Sequence, residues 1–349
     1  MSKTLSIRTE TILKSIVEQY ITRAVPVPSQ SVLHNHGLDV SSATIRNEMM
    51  RLKREGYIIQ PHTSAGSVPS DKGYRYYVET LSNVRLPLNQ QLMVNHLFHQ
   101  VETRLEEWAR LTATLLANLS QNMSIVATAK SDSCIYKHLE LVSIQNSTAL
   151  MILVLQGAVV RQQLTIFDQP VSQSELSIVS NKLNSIFAGL TGLQIQNVSQ
   201  DLTEFEKSIT DCVLNIMRTE DNVEYETPYM DGLQFMFNQP EFTGTNQTTT
   251  SLALTKDNNL LRIILPDKLT GRGVHVFIGK ENKSEAIQNY SVVISEYGLP
   301  GEAIGVIAVI GPTRMHYARS IASVDYLSEV LSGLIAWLYG RKIPSQTEN

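Results

Sequence analysis

Along the first quarter of the chain, apolar residues recur at three- and four-residue spacing in short bursts broken by proline, glycine and serine. Ile7, Ile12, Leu13, Ile16, Val17, Tyr20 and Ile21 predict an amphipathic helix from Ser6 to about Arg23, ended by Pro26 and Pro28. Ser29 stands where an N-cap would and opens a second, brief helix through "SQSVLHNH", which stops at Gly37. Ser41 or Ser42 then caps a third helix running to about Glu55, with Gly56 as its stop. On it Ile45, Met49 and Leu52 fall within about 60° of one another at 100° per residue, which makes them the core face.

The other side of that third helix carries Ala43, Asn47, Met50, Arg51 and Arg54, flanked by Thr44 and Arg46. Helix, short helix, turn and helix is the order of a helix-turn-helix, in which the last helix reads a DNA groove. Arginine can grip guanine O6 and N7 with two donors, and asparagine can do the same for adenine. The bland alternative is a surface helix with solvated arginines. After it, "GYIIQ" reads as a short strand and "PHTSAGSVPS" as a loop, the order of the wing in a winged helix. His62, Thr63, Ser64 and Ser67 are short donors suited to phosphate oxygens or a minor-groove edge. Ser70 caps a helix through "DKGYRYYVETL", whose Tyr74, Tyr77, Val78 and Leu81 face the core and whose Lys72 and Arg75 are candidates for phosphates.

Farther on, "LNQQLMVNHLFHQVETRLEEWARLTATLLANLS" predicts one long helix from Leu88 to Ser120. "MSIVATA" predicts a strand, and 137–168 a three-stranded meander with turns near Asn146-Ser147 and Gln156-Gly157. Helical patterns follow near 172–188, 203–219 and 229–238, and then a polar interruption, "TGTNQTTTS". "GVHVFIG", "NYSVVISEYG" and "AIGVIAVIG" give three more strands, and a last helix, capped by Thr313, carries the stripe Ala318, Ile321, Val324, Leu327, Leu331, Ile335 and Leu338. Strands that return after a helical interval point to a sheet domain with a second folded unit inserted into it.

Charge sharpens this division. Residues 1–86 carry 11 Lys and Arg against 7 Asp and Glu, whereas the remainder carries 18 against 26, so a cationic head precedes an acidic body. The chain's 349 residues call for two or three domains, and 42% hydrophobic with 18% charged residues is the balance of a folded protein. No uncharged apolar run of about 18 residues and no signal-peptide pattern is found, so a cytoplasmic protein with no membrane partner is expected. Cys134 and Cys212 stand far apart, without a Cys/His cluster, so neither a metal site nor a cofactor is expected. H-E-x-x-H, G-x-S-x-G and Walker loops are absent, and Gly271 and Gly273 precede a strand and read as a turn; catalysis has little support.

The segment "SSATIRNEMMRLKREGYIIQPHTSAGSVPSDKGYRYYV" resembles the N-terminal signature of the heat-inducible transcription repressor family, HrcA. "FIGKEN", "SVVISEYG" and "GVIAVIGPTRMHYARSIASVDYLSEVLS" resemble its C-terminal signature, above all Gly311 to Met315 and Tyr317. Two positions depart from the pattern. Pro26 to Ser29 read "PVPS" where the family usually has "PVGS", and Ser67 stands where the wing usually carries arginine. The resemblance implies an α+β multidomain chain: a winged helix-turn-helix at 1–85, a discontinuous GAF-like domain at 86–134 and 266–349, and an inserted dimerisation domain at 135–265.

The function so implied is a homodimeric repressor of heat-shock chaperone operons, bound to a double-stranded inverted-repeat operator of the CIRCE type and modulated by the GroEL chaperonin. Ser42, Thr44, Arg46, Asn47 and Arg51 of the third helix are the expected DNA contacts, with His62, Thr63 and Ser64 of the wing and Lys72 and Arg75 behind it. Two other readings differ in class. One is a transcription factor gated by a metabolite in the GAF-like domain; the other is a docking protein that uses the winged helix against another protein.

Overall fold

In the computed structural model the described residues are 5–35, 41–62, 65–102, 104–131, 133–198, 201–222, 228–242, 263–264 and 273–341. The first helix, α1 (Ile7–Arg23), is capped by Ser6, whose hydroxyl accepts from the Thr9 amide, and ends at Ala24 in the left-handed conformation. Ile12, Leu13, Ile16 and Val17 are fully buried, so the predicted stripe forms the core of this region. Ile7 does not join it: in the first turn it stays 87% exposed. α2 (Ser29–Asn35) follows, and Gly37, expected as its stop, lies outside the described residues. α3 (Ser42–Arg54) takes Ser41 as its N-cap and ends at Glu55 and Gly56, the latter at φ +80°.

A two-stranded antiparallel ribbon comes next, β1 (Ile58–Ile59) on β2 (Val68–Pro69), with Ile58 opposite Pro69. The loop end of the ribbon is tied to the α1–α2 turn, because Val27 and Ser67 exchange backbone hydrogen bonds of 2.9 and 2.8 Å. α4 (Asp71–Glu79) is capped by Ser70 and buries Tyr74, Tyr76 and Tyr77. Gly73 lets it lie against the chain at Tyr57, since a Cβ there would stand 2.2 Å from the Tyr57 carbonyl oxygen.

The expected long helix is two helices, α5 (Leu88–Phe98) and α6 (Leu105–Ser120). Val94 and Phe98 are the buried positions of α5, whereas Leu88 and Leu92 stay more than 60% exposed. The apolar phase read across the break therefore belonged to no single helix, and Gln100, Glu102 and Arg104 between the two are exposed. α6 runs into β3 (Met123–Lys130). The antiparallel meander β4 (Tyr136–Gln145), β5 (Thr148–Leu155) and β6 (Val160–Ile166) then forms, and α7 (Gln173–Phe187), α8 (Gly192–Val198) and α9 (Glu204–Asn222) follow. Leu139, Leu141, Met151 and Leu153 of the meander share a core with Leu183, Phe187, Ile209 and Val213 of the helices.

The helix expected at 229–238 is half strand and half helix. β7 (Tyr229–Asp231) pairs antiparallel with β3, Gly232 turns the chain at φ +82°, and only α10 (Leu233–Phe237) is helical. β8 (His275–Ile278), β9 (Tyr290–Leu299) and β10 (Ala303–Pro312) complete a five-stranded sheet of order β7-β3-β10-β9-β8. α11 (Tyr317–Leu338) carries the predicted stripe, with Val324, Leu327, Leu331 and Ile335 buried. Thr313 does not cap it; the chain turns at Pro312–Met315 and the helix starts after His316, whose carbonyl takes the first helical bond from Ser320. By length and composition alone α11 could cross a membrane, but it bears Arg319, Asp325 and Glu329, and 44% of its most apolar window is buried inside the protein.

The chain divides into two compact units. The first is Met1–Ala127 with Thr227–Glu296 and Val306–Glu329; the second is Thr128–Glu226 with Tyr297–Gly305 and Val330–Asn349. The N-terminal helices and ribbon thus share a unit with most of the five-stranded sheet, and the meander with its helices dominates the other.

Candidate nucleic-acid interface

α3 decides what its neighbourhood can do. Ile45 and Leu52 are fully buried and Met49 is 8% exposed, as the spacing predicts, so the rotation of the helix about its axis is fixed by three apolar anchors. Thr9 adds a polar one: its hydroxyl donates to the Glu48 carboxylate at 2.8 Å and ties the acid of α3 to α1. With the back pinned, Ser42, Ala43, Arg46, Asn47 and Arg54 are exposed, and Met50 is 62% exposed. Thr44 is half-buried, its hydroxyl 3.0 Å from that of the Ser41 cap.

The last turn of α3 gathers Arg51, Lys53 and Arg54 where the backbone carbonyls leave partial negative charge. Arg51 is half-buried and donates through Nε to the Glu55 carboxylate at 3.1 Å. Lys53 donates to the Gln60 side-chain oxygen at 3.0 Å, and the Gln60 amide donates to the Ala65 carbonyl at 2.8 Å. That relay sets the ribbon loop beside the end of the helix.

On the ribbon, His62 is exposed, while Thr63 and Ser64 lie outside the described residues. Ser67 is 9% exposed, at the backbone bridge to Val27. Lys72 donates its ammonium to the Glu55 carbonyl at 2.8 Å and stands 4.2 Å from the centre of the Tyr57 ring, exposed on the same side as the end of α3. Arg75 departs from the phosphate role expected of it. Its guanidinium is half-buried and forks onto both carboxylate oxygens of Glu281 and onto the Val276 carbonyl, which pushes its pKa up through the Glu281 hydrogen bonds. Sequence spacing could not reveal this, because the partners lie about 200 residues away. Lys53 was not among the sequence candidates, although its place beside Arg51 and Arg54 in the last turn of α3 was the available signal.

These helices have relatives. Residues 106–321 match the family model described as HrcA protein C terminal domain, which is more than half of the chain. The chain is 49% identical over 337 residues to the heat-inducible transcription repressor HrcA of Dehalococcoides mccartyi strain 195, covering 97% of this chain and 98% of the relative. It is 37% identical over 350 residues to the repressor of the same name from Roseiflexus castenholzii, covering 97% of each.

The chain belongs to the HrcA family of heat-inducible transcription repressors.

Its HrcA relatives are named as repressors and not as enzymes, in accord with a sequence that lacks catalytic signatures. Among solved structures, one described as a hypothetical protein at 2.2 Å resolution matches at TM-score 0.65 and 23% identity, covering 96% of this chain and all of that one. That likeness extends the fold over nearly the whole HrcA chain. Among the described residues no group of three or more His, Cys, Asp and Glu could hold a metal ion. Burial pushes the Cys134 thiol up to about 12, with Asp221 beside it adding to the effect, which makes it a poor nucleophile.

Proposed function

We propose that this chain is a dimeric, cytoplasmic DNA-binding repressor of heat-shock chaperone operons that reads an inverted-repeat operator through α3 and the ribbon that follows it. The observation that carries the reading is the division of α3: Ile45, Met49 and Leu52 are held inward while Ser42, Arg46 and Asn47 are presented outward. In this reading residues 1–85 are a winged helix-turn-helix, with α3 entering the major groove. Arg46, Asn47 and Arg51 reach base edges, and His62, Thr63, Ser64 and Lys72 sit on phosphates or the minor groove. Arg75 is left out, since its Nε and Nη2 donors are engaged within the chain by Glu281 and the Val276 carbonyl.

The body follows the same proposal: a GAF-like domain from 86–134 and 266–349, interrupted by an inserted dimerisation domain at 135–265. Support for a homodimer comes from the meander's edge strand, where Val160, Leu164 and Ile166 are 44%, 62% and 79% exposed on one side of β6. A twofold dimer carries two copies of α3, so operator halves mirror one another with centres about 10 base pairs, or a multiple of that, apart. Modulation by the GroEL chaperonin rests on family membership; such a partner would act on the population of binding-competent protein.

Footprinting against the upstream region of the native chaperonin operon tests this. Protection of an inverted repeat is the expected result. Protection only on addition of a metabolite, or none at fixed low salt, overturns it.

A further inference from the structure

Four contacts join α4 and the end of α1 to the sheet region, and all of them lie within the first compact unit. Arg75 grips Glu281 and the Val276 carbonyl, the latter within β8. One turn earlier on the same face of α4, the Asp71 carboxylate accepts from the Lys280 amide at 3.1 Å. It lies so close to Gly279, at φ +53°, that a Cβ there would stand 2.4 Å from the carboxylate. Between these two, the Tyr74 ring packs 5.8 Å from that of Tyr317, whose hydroxyl donates to the Thr313 carbonyl and stands 2.7 Å from Ser291. Farther along, Arg314 is 9% exposed; it forks onto Glu241 and donates to the Ile21 carbonyl near the end of α1, at 3.2 Å.

The spacing is informative. Asp71, Tyr74 and Arg75 are i, i+3 and i+4 on one helix, so they share one face, and three contacts along it oppose rotation and sliding of α4. Their partners come from "FIGKEN" and "GPTRMHY", so the segments that mark the two ends of the chain meet at one junction. α4 in turn is pinned to α3 through Ser70, whose hydroxyl donates to the Gly56 carbonyl at 2.6 Å, and through Lys72 on the Glu55 carbonyl. Rigid contact therefore runs from the 276–281 segment through α4 to the last turn of α3.

We propose that Asp71 and Arg75, with their seats at Glu281 and the Gly279–Lys280 turn, are positioning residues that fix the direction in which α3 is presented, so that two copies in a dimer match one operator spacing. This rests on the DNA-binding reading above. It assigns to Arg75 a role in geometry instead of contact, and to the 276–281 segment the role of a seat for the DNA-binding helices.

The test uses the full-length protein and the double variant Asp71→Asn/Glu281→Gln, which removes both carboxylates while keeping their shape. Affinity is measured for the inverted repeat that the wild type protects, for a duplex with one half-site, and for repeats whose spacer is changed by one and two base pairs. The variant should bind the single half-site within about twofold of wild type. It should lose roughly tenfold or more on the native repeat and discriminate less between spacers, because two loosely held modules lose effective concentration for each other. Equal affinity and equal spacer preference overturn the proposal, as does tighter binding of the native repeat. If the double variant melts early, the single Glu281→Gln protein is measured in its place.

A readout without DNA separates this proposal from the DNA-binding reading. Spin labels at Arg8→Cys and Glu296→Cys, with Cys134→Ala and Cys212→Ala, should give a narrow distance distribution that broadens when Glu281→Gln and Asp71→Asn are added. An unchanged distribution overturns the positioning role whatever the operator data show, and a wild type that binds no inverted repeat overturns the DNA reading alone.

Discussion

Arg51 and Glu55 form an ion pair across the last turn of α3, with Nε 3.1 Å from the carboxylate oxygen. The pair uses one edge of the guanidinium, and among the described residues Nη1 and Nη2 make no hydrogen bond. A fork of two donors thus remains on a side chain that is 40% exposed. Such a pair at the surface adds little stability, so Arg51 is dispensable to the fold. Arg51→Ala should therefore leave the thermal midpoint nearly unchanged and weaken operator binding by about 1 to 3 kcal/mol, the range of one good bidentate base contact. A gel-shift series at fixed salt checks it; equal affinity removes Arg51 from the interface.

Gly66 lets the ribbon reach its support. A Cβ there would stand 2.5 Å from the carbonyl carbon of Val27 and 2.6 Å from that of Pro26, next to the bridge between Val27 and Ser67. Because these are backbone atoms, the strain is relieved only by moving the ribbon. Gly66→Ala should cost about 1 to 3 kcal/mol, the range for overpacking, and lower operator affinity beyond what the loss of folded protein explains. Faster hydrogen exchange at the Ser67 amide is the local check. Protection there equal to wild type would show the bridge intact.

Lys72 presents the opposite case to Arg51. Its ammonium is exposed and held by one carbonyl and one ring face, so it is pre-placed while two of its three donors stay available. A phosphate contact releases counterions in proportion to charge and carries no base information. Lys72→Gln should reduce the slope of log affinity against log salt by about 0.9 and weaken matched and mismatched duplexes alike. An unchanged slope would assign Lys72 to the end of α3 alone.

What could be read from the chain depended on how local the cause was. The face of α3 followed from Ile45, Met49 and Leu52 because helical spacing is a property of neighbours, and the meander turns near Asn146 and Gly157 followed from turn chemistry within a few residues. Arg75 is the complementary case. A basic residue near a cationic helix looks like a phosphate contact, and its pairing with Glu281 becomes visible only when the tertiary fold brings that acid in. The division of 88–120 into two helices lay between these cases. Its apolar residues have helical spacing, but the buried positions Val94 and Phe98 are selected by what packs against them. The resemblance to HrcA named the end motifs without indicating that they meet.

In the second unit, Lys182 donates to both oxygens of Glu206 at 2.8 Å, and Glu206 is 7% exposed near the start of α9. The Lys182 hydrogen bonds lower the Glu206 pKa, burial opposes them, and the Thr203 amide, which donates to the same carboxylate at 2.9 Å, lowers it further. The folded carboxyl therefore holds its proton less tightly than the unfolded one, whose value is near the ordinary glutamate pKa of about 4.3. Its contribution to stability is complete above that unfolded value and is lost as pH falls through the folded value. Lys182→Met leaves the buried carboxylate without its cation, so the variant should melt roughly 2 to 4 °C below wild type at neutral pH. The gap should close on acidification below the folded value, where the carboxyl is protonated in both proteins. Melting curves recorded across the acid range decide it, and a gap that stays constant to about pH 2 would place the cost of the substitution in lost side-chain packing instead of in charge.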